Sequence, residues 1–384
     1  MGNDVNVLMV GSSTNVKGGM TTLVQSFLRH EFSPPISLTY IVSHSEKGRI
    51  FNSFFFAKSL AGIVVHLAAK KMDIVHLHMS DKGSFFRKYI IFKISKWFGK
   101  KVIVHMHGGD FEAFYSRMPH QVQLLIHDML KNADKVIALG SNWETKLREI
   151  EPFADLEVLM NSVPIPEYKE KKTGNGVLKI LFLAVMNESK GILDLIRASV
   201  SVIEKAEEQK KRICFEIAGD GPSYEEAQKL VSQYQLNHYF HFHGWVDKEE
   251  KEKLLQQSDL FVLPSYFEGL PMSILEAISY GMPVISTKVG SIDEAVKDGV
   301  NGYLIEPGDI SALEDSLHSA ISNPSFEKMG KASRRLAEKN FDEEKYFRQI
   351  EALYLAEAQK DTFGRPEMGS EEKSIWKRNT SRLL

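Results

Sequence analysis

Short apolar runs recur along the chain, separated by longer amphipathic stretches. Val5–Val10, Leu38–Val42, Ile74–His78, Val102–Met106, Val136–Leu139 and Leu156–Met160 predict six strands in the first half. After Pro164-Ile165-Pro166 and a polar stretch through Lys172 to Gly176 the alternation restarts, with Leu178–Leu183, Ile213–Ala218, Phe240–His243, Leu260–Leu263, Val284–Ser286 and Tyr303–Ile305. Strands alternating with helical patterns build parallel βαβ units. A run such as Lys179-Ile180-Leu181-Phe182-Leu183 suits a sheet covered on both faces. The expected fold class is therefore α/β, with two Rossmann-like, doubly wound domains at 1–165 and 166–340 joined through the 164–176 stretch. Residues 341–359 predict an amphipathic helix that packs back on the first domain, and 360–384, with Gly, Pro and scattered charges, a loose tail. Ligands in such sheets bind outside the carboxyl ends of the strands, so two facing sheets place a ligand in the cleft between them.

Composition narrows the classes. The 384 residues, 43% hydrophobic and 26% charged, supply enough apolar surface for two cores. With 48 Lys+Arg against 50 Asp+Glu there is no bulk attraction to nucleic acid. Cys214 is the single cysteine, which excludes an intrachain disulfide and a paired-cysteine metal site and points to a reducing compartment. No positive charge precedes the first apolar stretch, as a secretory signal would require, and Asn6 spoils a myristoylation pattern. The longest uncharged apolar run, Ser59–Ala69, falls short of a bilayer span, so none is expected. The neutral total hides one asymmetry: residues 82–101 hold Lys82, Arg87, Lys88, Lys93, Lys96, Lys100 and Lys101 with no acid, interleaved with aromatics. Such a helix can lie on an anionic membrane surface, or serve as a crossover helix with buried aromatics and solvated lysines.

The most informative motif is Pro264-Ser265-Tyr266-Phe267-Glu268-Gly269-Leu270-Pro271-Met272-Ser273-Ile274-Leu275-Glu276-Ala277, which follows a buried strand and opens a helix. Gly269 and Pro271 mark the turn into that helix, and Gly281 with Pro283 marks its end. Free N–H groups at its start suit a phosphate, while Glu268 and Glu276 suit sugar hydroxyls. Gly18-Gly19 offers a turn after the first strand where backbone can approach a ligand. There is no Walker A spacing, no complete dinucleotide fingerprint and no Gly-x-Ser-x-Gly elbow. Three His-x-His pairs, His76/His78, His105/His107 and His241/His243, each close a different strand; with no cysteine or carboxylate set beside them, no metal site is expected.

Glu268 and Glu276, with seven residues between them, resemble the E-x7-E motif of retaining GT-B glycosyltransferases, the bacterial nucleotide-sugar enzymes numbered family four. Ile217-Ala218-Gly219-Asp220-Gly221-Pro222, Phe242-His243-Gly244-Trp245, Gly281-Met282-Pro283 and Asp298-Gly299-Val300-Asn301-Gly302 extend the likeness across 178–308. Lys17-Gly18-Gly19-Met20 and His105-Met106-His107-Gly108-Gly109 continue it more weakly. The resemblance implies that Glu276 binds the donor ribose and that Glu268 faces the transferred sugar. It implies that Lys190 pairs with the diphosphate, that the main chain of Gly269, Leu270, Pro271, Met272 and Ser273 meets sugar or phosphate oxygens, and that Gly244 lies near the nucleotide. His107 is implied near the donor sugar, and Asp110 on the acceptor side. Ala184-Val185 depart from the family, which has Gly-Arg there; Lys17 is the expected substitute cation. The implied partners are a nucleotide-sugar, UDP-linked in preference to GDP-linked, and a glycan or lipid-linked acceptor of surface-polysaccharide assembly. No cofactor or metal is implied, and the expected location is cytoplasmic, peripheral on the inner membrane face. A nucleotide-sugar epimerase or hydrolase, and a degenerate binding subunit, are the alternatives.

Overall fold

A computed structural model describes residues 4–16, 18–45, 48–69, 72–109, 111–167, 176–322 and 326–360. The expected tail beyond 360 and most of the 164–176 link lie outside the described residues. The first sheet contains β1 (Val5–Gly11), β2 (Ile36–Val42), β3 (Ile74–Met79), β4 (Lys101–Met106), β5 (Lys135–Ala138) and β6 (Leu156–Val158), in the order β2-β1-β3-β4-β5-β6. Its helices are α1 (Gly19–Arg29), α2 (Arg49–Ala68), α3 (Gly83–Trp97), α4 (Phe111–Arg117), α5 (His120–Asn132) and α6 (Ser141–Ile150). The second sheet contains β7 (Val177–Leu183), β8 (Arg212–Ala218), β9 (Phe240–Gly244), β10 (Leu260–Leu263), β11 (Val284–Thr287) and β12 (Gly302–Ile305), in the order β12-β11-β10-β7-β8-β9. Around it lie α7 (Ile192–Glu208), α8 (Tyr224–Gln233), α9 (Lys248–Gln257), α10 (Met272–Ser279), α11 (Ile292–Ala295), α12 (Ile310–Ser322) and α13 (Phe326–Asn340), and the described chain closes with α14 (Glu343–Gln359). Every strand pair in both sheets is parallel.

The strand period sorts side chains by face. Leu8 and Val10 of β1, Val75 and Leu77 of β3, and Val102 and Val104 of β4 share a core with Ile63 and Leu67 of α2 and with Phe85, Ile91 and Phe92 of α3. Val7 and Met9, Ile74 and Ile103 face the other way, toward Phe27 of α1 and Phe347, Ile350 and Tyr354 of α14. Helix α14 therefore returns from the second domain to cover β1, β2 and β3. The crossing is pinned where Val163 N–H donates to the Phe341 carbonyl at 2.9 Å and Glu343 N–H donates to Val163 at 3.2 Å.

Two features of this layer differ from the sequence expectation. Among the described residues one helix, α2, is long and apolar enough to cross a membrane by length and composition: Phe51–Ala68 has a mean hydropathy of 1.4, and 17% of it is buried. A count of uncharged residues stops at Lys58, whereas the helix runs through it. Helix α3 exposes fewer free lysines than its sequence suggests. Lys88 is buried with its ammonium on Ser43 Oγ at 2.6 Å. Lys93 pairs with Asp128 at 3.1 Å, and Lys96 pairs with Asp134 at 2.7 Å. The acids come from α5 and the loop before β5, which a local window cannot show.

Candidate active site

The carboxyl ends of β7 and β10 build one wall of the cleft. Pro264, Ser265 and Tyr266 follow β10, and the turn at Glu188–Lys190 follows β7. The Tyr266 N–H donates to Ser189 O at 2.8 Å, locking the two loops together. Gly191 closes the turn with φ +72°, and a Cβ there would lie 2.1 Å from the Pro264 carbonyl oxygen, so only glycine fits. That contact aims Lys190 at Glu268: Nζ donates to Oε1 at 2.6 Å, with the two side chains 22% and 9% exposed. Ser265 Oγ donates to the same oxygen at 2.8 Å. An ammonium has three donors, so Lys190 keeps protons for a second anion.

Pro271 precedes α10 with φ −67°, and the N–H groups of the helix's first turn, Met272 to Ile274, lack acceptors within the helix. Their positive end suits an anion beside Lys190. Glu276, in the second turn, is held by Lys251 of α9 at 2.5 Å. Lys251 has no signal in the sequence, because Lys248-Glu249-Glu250-Lys251-Glu252-Lys253 reads as a solvated charge run. Ser265 lay inside the motif without standing out.

The first domain supplies the facing wall. Gly109 presses on the Glu268–Gly269 main chain: a Cβ on Gly109 would lie 2.7 Å from the Glu268 carbonyl carbon. The His107 carbonyl oxygen lies 3.6 Å from the position of a Gly269 Cβ, and Gly19 at the start of α1 faces Met272. Asn161 Nδ2 donates to Leu270 O at 2.9 Å, and Asn142 Nδ2 donates to Gly290 O at 2.7 Å. Gly19, His107, Glu268, Gly269, Leu270 and Met272 thus meet across the two domains, and Lys190 joins them through Glu268. Pro271 and Ser273 flank Met272, Glu276 lies one turn on in α10 against Lys251, and a Cβ on Gly18, which precedes Gly19, would meet nothing within 4 Å. Gly244 stands at the end of β9, with φ +65°, and its carbonyl accepts from Gly219 N–H at 2.7 Å. Lys17 and Asp110 lie outside the described residues. The loop holding Ala184-Val185 is tied to β8 and its following turn through Ala184 N–H to Ala218 O at 3.2 Å and Met186 N–H to Asp220 O at 3.0 Å.

The histidine pairs do not stand apart as their separate strands suggested. β3 and β4 are neighbours with His78 opposite His105, so His76, His78, His105 and His107 form one column under α1 and α14. Their rings stack: His76 on His105 at 5.4 Å and 9°, and His78 on His107 at 5.1 Å and 6°. His78 Nδ1 and His107 Nε2 are 2.9 Å apart, and His76 Nδ1 meets the Tyr354 hydroxyl at 2.6 Å. Ring nitrogens of His76, His78 and His105 come within 4.8 Å of one another, the spacing of a potential ligand cluster. Within that cluster His76 and His105 are near-parallel, and His78 is turned by 26° from His76 and by 34° from His105. Burial holds His76 and His107 at a pKa of about 3 and pushes His78 and His105 well below the ordinary value, so all four are neutral at pH 7. The third pair sits on β9, where His243 Nε2 meets Glu216 at 2.7 Å and His241 Nδ1 meets it at 3.5 Å. Burial pushes the Glu216 carboxyl up, but the bonds to His243 and His241 outweigh it and hold it below the usual range.

Two facing Rossmann-like domains, with a cation and a helix start on one wall and a glycine-rich loop on the other, define a GT-B fold. Residues 165–340 match the family described as glycosyl transferases group 1, and the second domain belongs to it. Among solved structures, sucrose-phosphate synthase from Thermosynechococcus elongatus superposes with a TM-score of 0.75 at 16% identity, over 92% of this chain and 98% of that one. Anabaena HepE in complex with UDP and glucose superposes at 0.72 with 17% identity, over 92% and 99%. Among curated relatives, the N-acetyl-alpha-D-glucosaminyl L-malate synthase of Bacillus anthracis is 23% identical over 321 residues, 80% of this chain and 81% of its own. The putative colanic acid biosynthesis glycosyltransferase WcaL of Escherichia coli is 25% identical over 270 residues, 67% and 64%.

Proposed function

We propose that this protein transfers a sugar, with retention of configuration and without a metal, from a UDP-sugar to a hydroxyl of a glycan or lipid-linked acceptor in bacterial surface-polysaccharide assembly. The observation that carries the reading is the convergence of Lys190 Nζ, Glu268 and the start of α10 opposite the His107–Gly109 loop. In this pose the donor diphosphate lies against Lys190 and the α10 N–H groups, the sugar against Glu268, and the ribose against Glu276. The acceptor oxygen bonds to the anomeric carbon on the face from which the phosphate departs; the carbon–phosphate oxygen bond breaks, and the leaving β-phosphate oxygen takes the hydroxyl proton. Lys190 stabilises the charge growing on that phosphate, and the protein contributes positioning in place of a strong base. His107, neutral and tied to His78, offers a hydrogen bond to the sugar. The UDP of the HepE structures supports the donor base, and the colanic acid relative supports the pathway. Calorimetry checks the donor: UDP is expected to bind at least tenfold more tightly than GDP, and equal or reversed affinities would remove the preference.

Val185 favours a second reading, a binding subunit that holds donor without turnover, because it leaves Lys190 as the cation on that loop. Turnover in the presence of acceptor excludes this reading.

The membrane association assigned to 82–101 is proposed in altered form. Helices α2 and α3 cover the same sheet face, so their outward stripes share one side of the molecule. Phe54 is 76% exposed, Val65 65% and Trp97 68%, with Phe51, Phe86 and Ile90 between 41% and 47%. Residues 47–101 contain 12 Lys+Arg and two acids, Asp73 and Asp81. An apolar side in a basic stretch suits an anionic bilayer at the inner face of the plasma membrane. Replacing Phe54 and Trp97 together by Ser is expected to weaken binding to phosphatidylglycerol vesicles by roughly tenfold or more, since each large apolar side chain contributes about 1.5–3 kcal/mol on burial. Unchanged co-sedimentation would refute it.

A further inference from the structure

We propose that Ser43, His44, Arg87 and Lys88 form a second anion site, on the first domain, that holds the diphosphate of the acceptor; the assignment to the acceptor rests on the glycosyltransferase reading. Ser43 and His44 follow β2, and Arg87 and Lys88 stand in the second turn of α3. Ser43 Oγ donates to the Gly11 carbonyl at 2.9 Å and accepts from Lys88 Nζ at 2.6 Å. Lys88 is 1% exposed, and among the described residues no carboxylate pairs with it or with Arg87. Arg87 Nε and His44 Nδ1 are both buried without a hydrogen-bond partner. Asp81, the acid nearest to Arg87 in sequence, accepts instead from Ser80 Oγ at 3.2 Å, and Glu46, two residues after His44, lies outside the described residues.

Buried charges are normally paired, and buried polar atoms are normally bonded. Here three basic side chains of adjacent elements are packed together with donors to spare and, among the described residues, no acid paired with them. Their mutual effect agrees with the geometry: burial and the Arg87 guanidinium push Lys88 down to about 7, and burial with Arg87 and Lys88 lowers His44. A bound anion reverses each of these effects.

Position identifies the anion. The cluster lies at the carboxyl ends of β1, β2 and β3, where the strand order reverses, the usual ligand crevice of such a sheet. The start of α3 reaches the donor side through one loop: a Cβ on Gly108 would lie 2.9 Å from Asp81 N, and Gly109 rests on Glu268. A ligand held by Arg87 can therefore extend toward the sugar held at Glu268 without sharing the Lys190 site. The rim is apolar. Phe86 adjoins Arg87, and Phe51 and Phe54 open α2, whose Asn52 Oδ1 accepts from Ser45 Oγ at 2.9 Å. A charged floor with an aromatic rim on the membrane-facing side fits a lipid-linked sugar diphosphate.

The test is calorimetric titration of inorganic pyrophosphate and of farnesyl diphosphate into wild type, Arg87→Gln and Lys190→Ala, with saturating UDP present for the first two. Wild type is expected to bind both ligands on top of UDP. Arg87→Gln, at a partly exposed side chain, is expected to lose roughly ten- to hundredfold in pyrophosphate affinity at unchanged UDP affinity and unchanged melting temperature, the scale of a charge-assisted bond. Lys190→Ala is expected to lose UDP and keep pyrophosphate. Tighter binding of farnesyl diphosphate identifies a lipid-linked source, and equal binding a soluble sugar diphosphate. Equal pyrophosphate affinity in wild type and Arg87→Gln, or displacement of pyrophosphate by UDP, overturns the site. Failure of UDP to bind wild type would break the donor reading instead, and the comparison of Arg87 with Gln remains readable without it.

Discussion

Lys190→Ala is expected to lower the rate of sugar transfer by about 10²–10³-fold, the scale seen when one preorganised group that stabilises growing charge is removed. The loss should appear in kcat as well as KM, because the proposed function has Lys190 bonded to a phosphate whose charge increases as the sugar departs. A stability effect must be separated from it. Among the described residues Ser265 is the other side-chain donor to Glu268, so the variant leaves a largely buried carboxylate half-satisfied. Lys190→Arg keeps the charge but offers a planar fork, and it should recover stability more fully than turnover. Steady-state rates beside thermal melts check this; a near-normal kcat in well-folded Lys190→Ala would contradict the role given to the residue.

The second large effect is on acid stability. His76 and His107 are held at about 3, and His78 and His105 lie well below their ordinary value, in each case first by burial and, for His76, His78 and His105, by neighbouring imidazoles. The unfolded chain takes up protons below about 6.5, and the folded chain does not until far lower pH. The unfolded state thus binds more protons across roughly pH 3–6.5, and stability must rise with pH through that window. Each group contributes at most about 1.4 kcal/mol per pH unit. Four together remove several kcal/mol between pH 6.5 and 5, out of the ~5–15 kcal/mol that holds a typical domain folded. Above pH 7 the slope should drop to at most one group's worth, from Lys88, whose folded value is about 7. Melting temperature measured from pH 5 to 8 is expected to fall on the order of 10 °C on the acid side. His105→Leu, which removes two unpartnered ring nitrogens, should make the slope shallower. A flat profile between pH 6.5 and 5 would mean that the column is not buried in solution.

The strands were legible because both faces of a parallel sheet are covered, leaving continuous apolar runs such as Leu260–Leu263 whose ends are set by Pro264 and Asp259. Helix α10 was legible because Gly269, Pro271, Gly281 and Pro283 punctuate it. What depended on partners distant in sequence was not. His78 and His105 meet only because β3 lies beside β4 in one register, and strand order is invisible to a local pattern. Lys251 reaches Glu276 from a helix whose charge run gives no cue. Across residues 82–101 the seven basic residues look alike in sequence, yet Lys88 is buried on Ser43 and three pair with acids, Lys93 with Asp128 and both Lys96 and Lys101 with Asp134. Charge counting therefore pointed to a lysine-rich membrane face, whereas the exposed surface of α2 and α3 is largely aromatic and aliphatic.

These features share one layout. In the proposed function the donor lies against Lys190 and α10 of the second domain, while the first supplies the facing loop, the cations Arg87 and Lys88 of α3 and the apolar side proposed to meet the membrane. Nucleotide release from UDP-sugars, measured with and without a lipid-diphosphate sugar acceptor and followed by the anomeric coupling of the product, tests the central claim most directly. Acceptor-dependent release of UDP with the donor's α configuration kept in the product is the predicted result. Release that is independent of acceptor, or a product of inverted configuration, would contradict it.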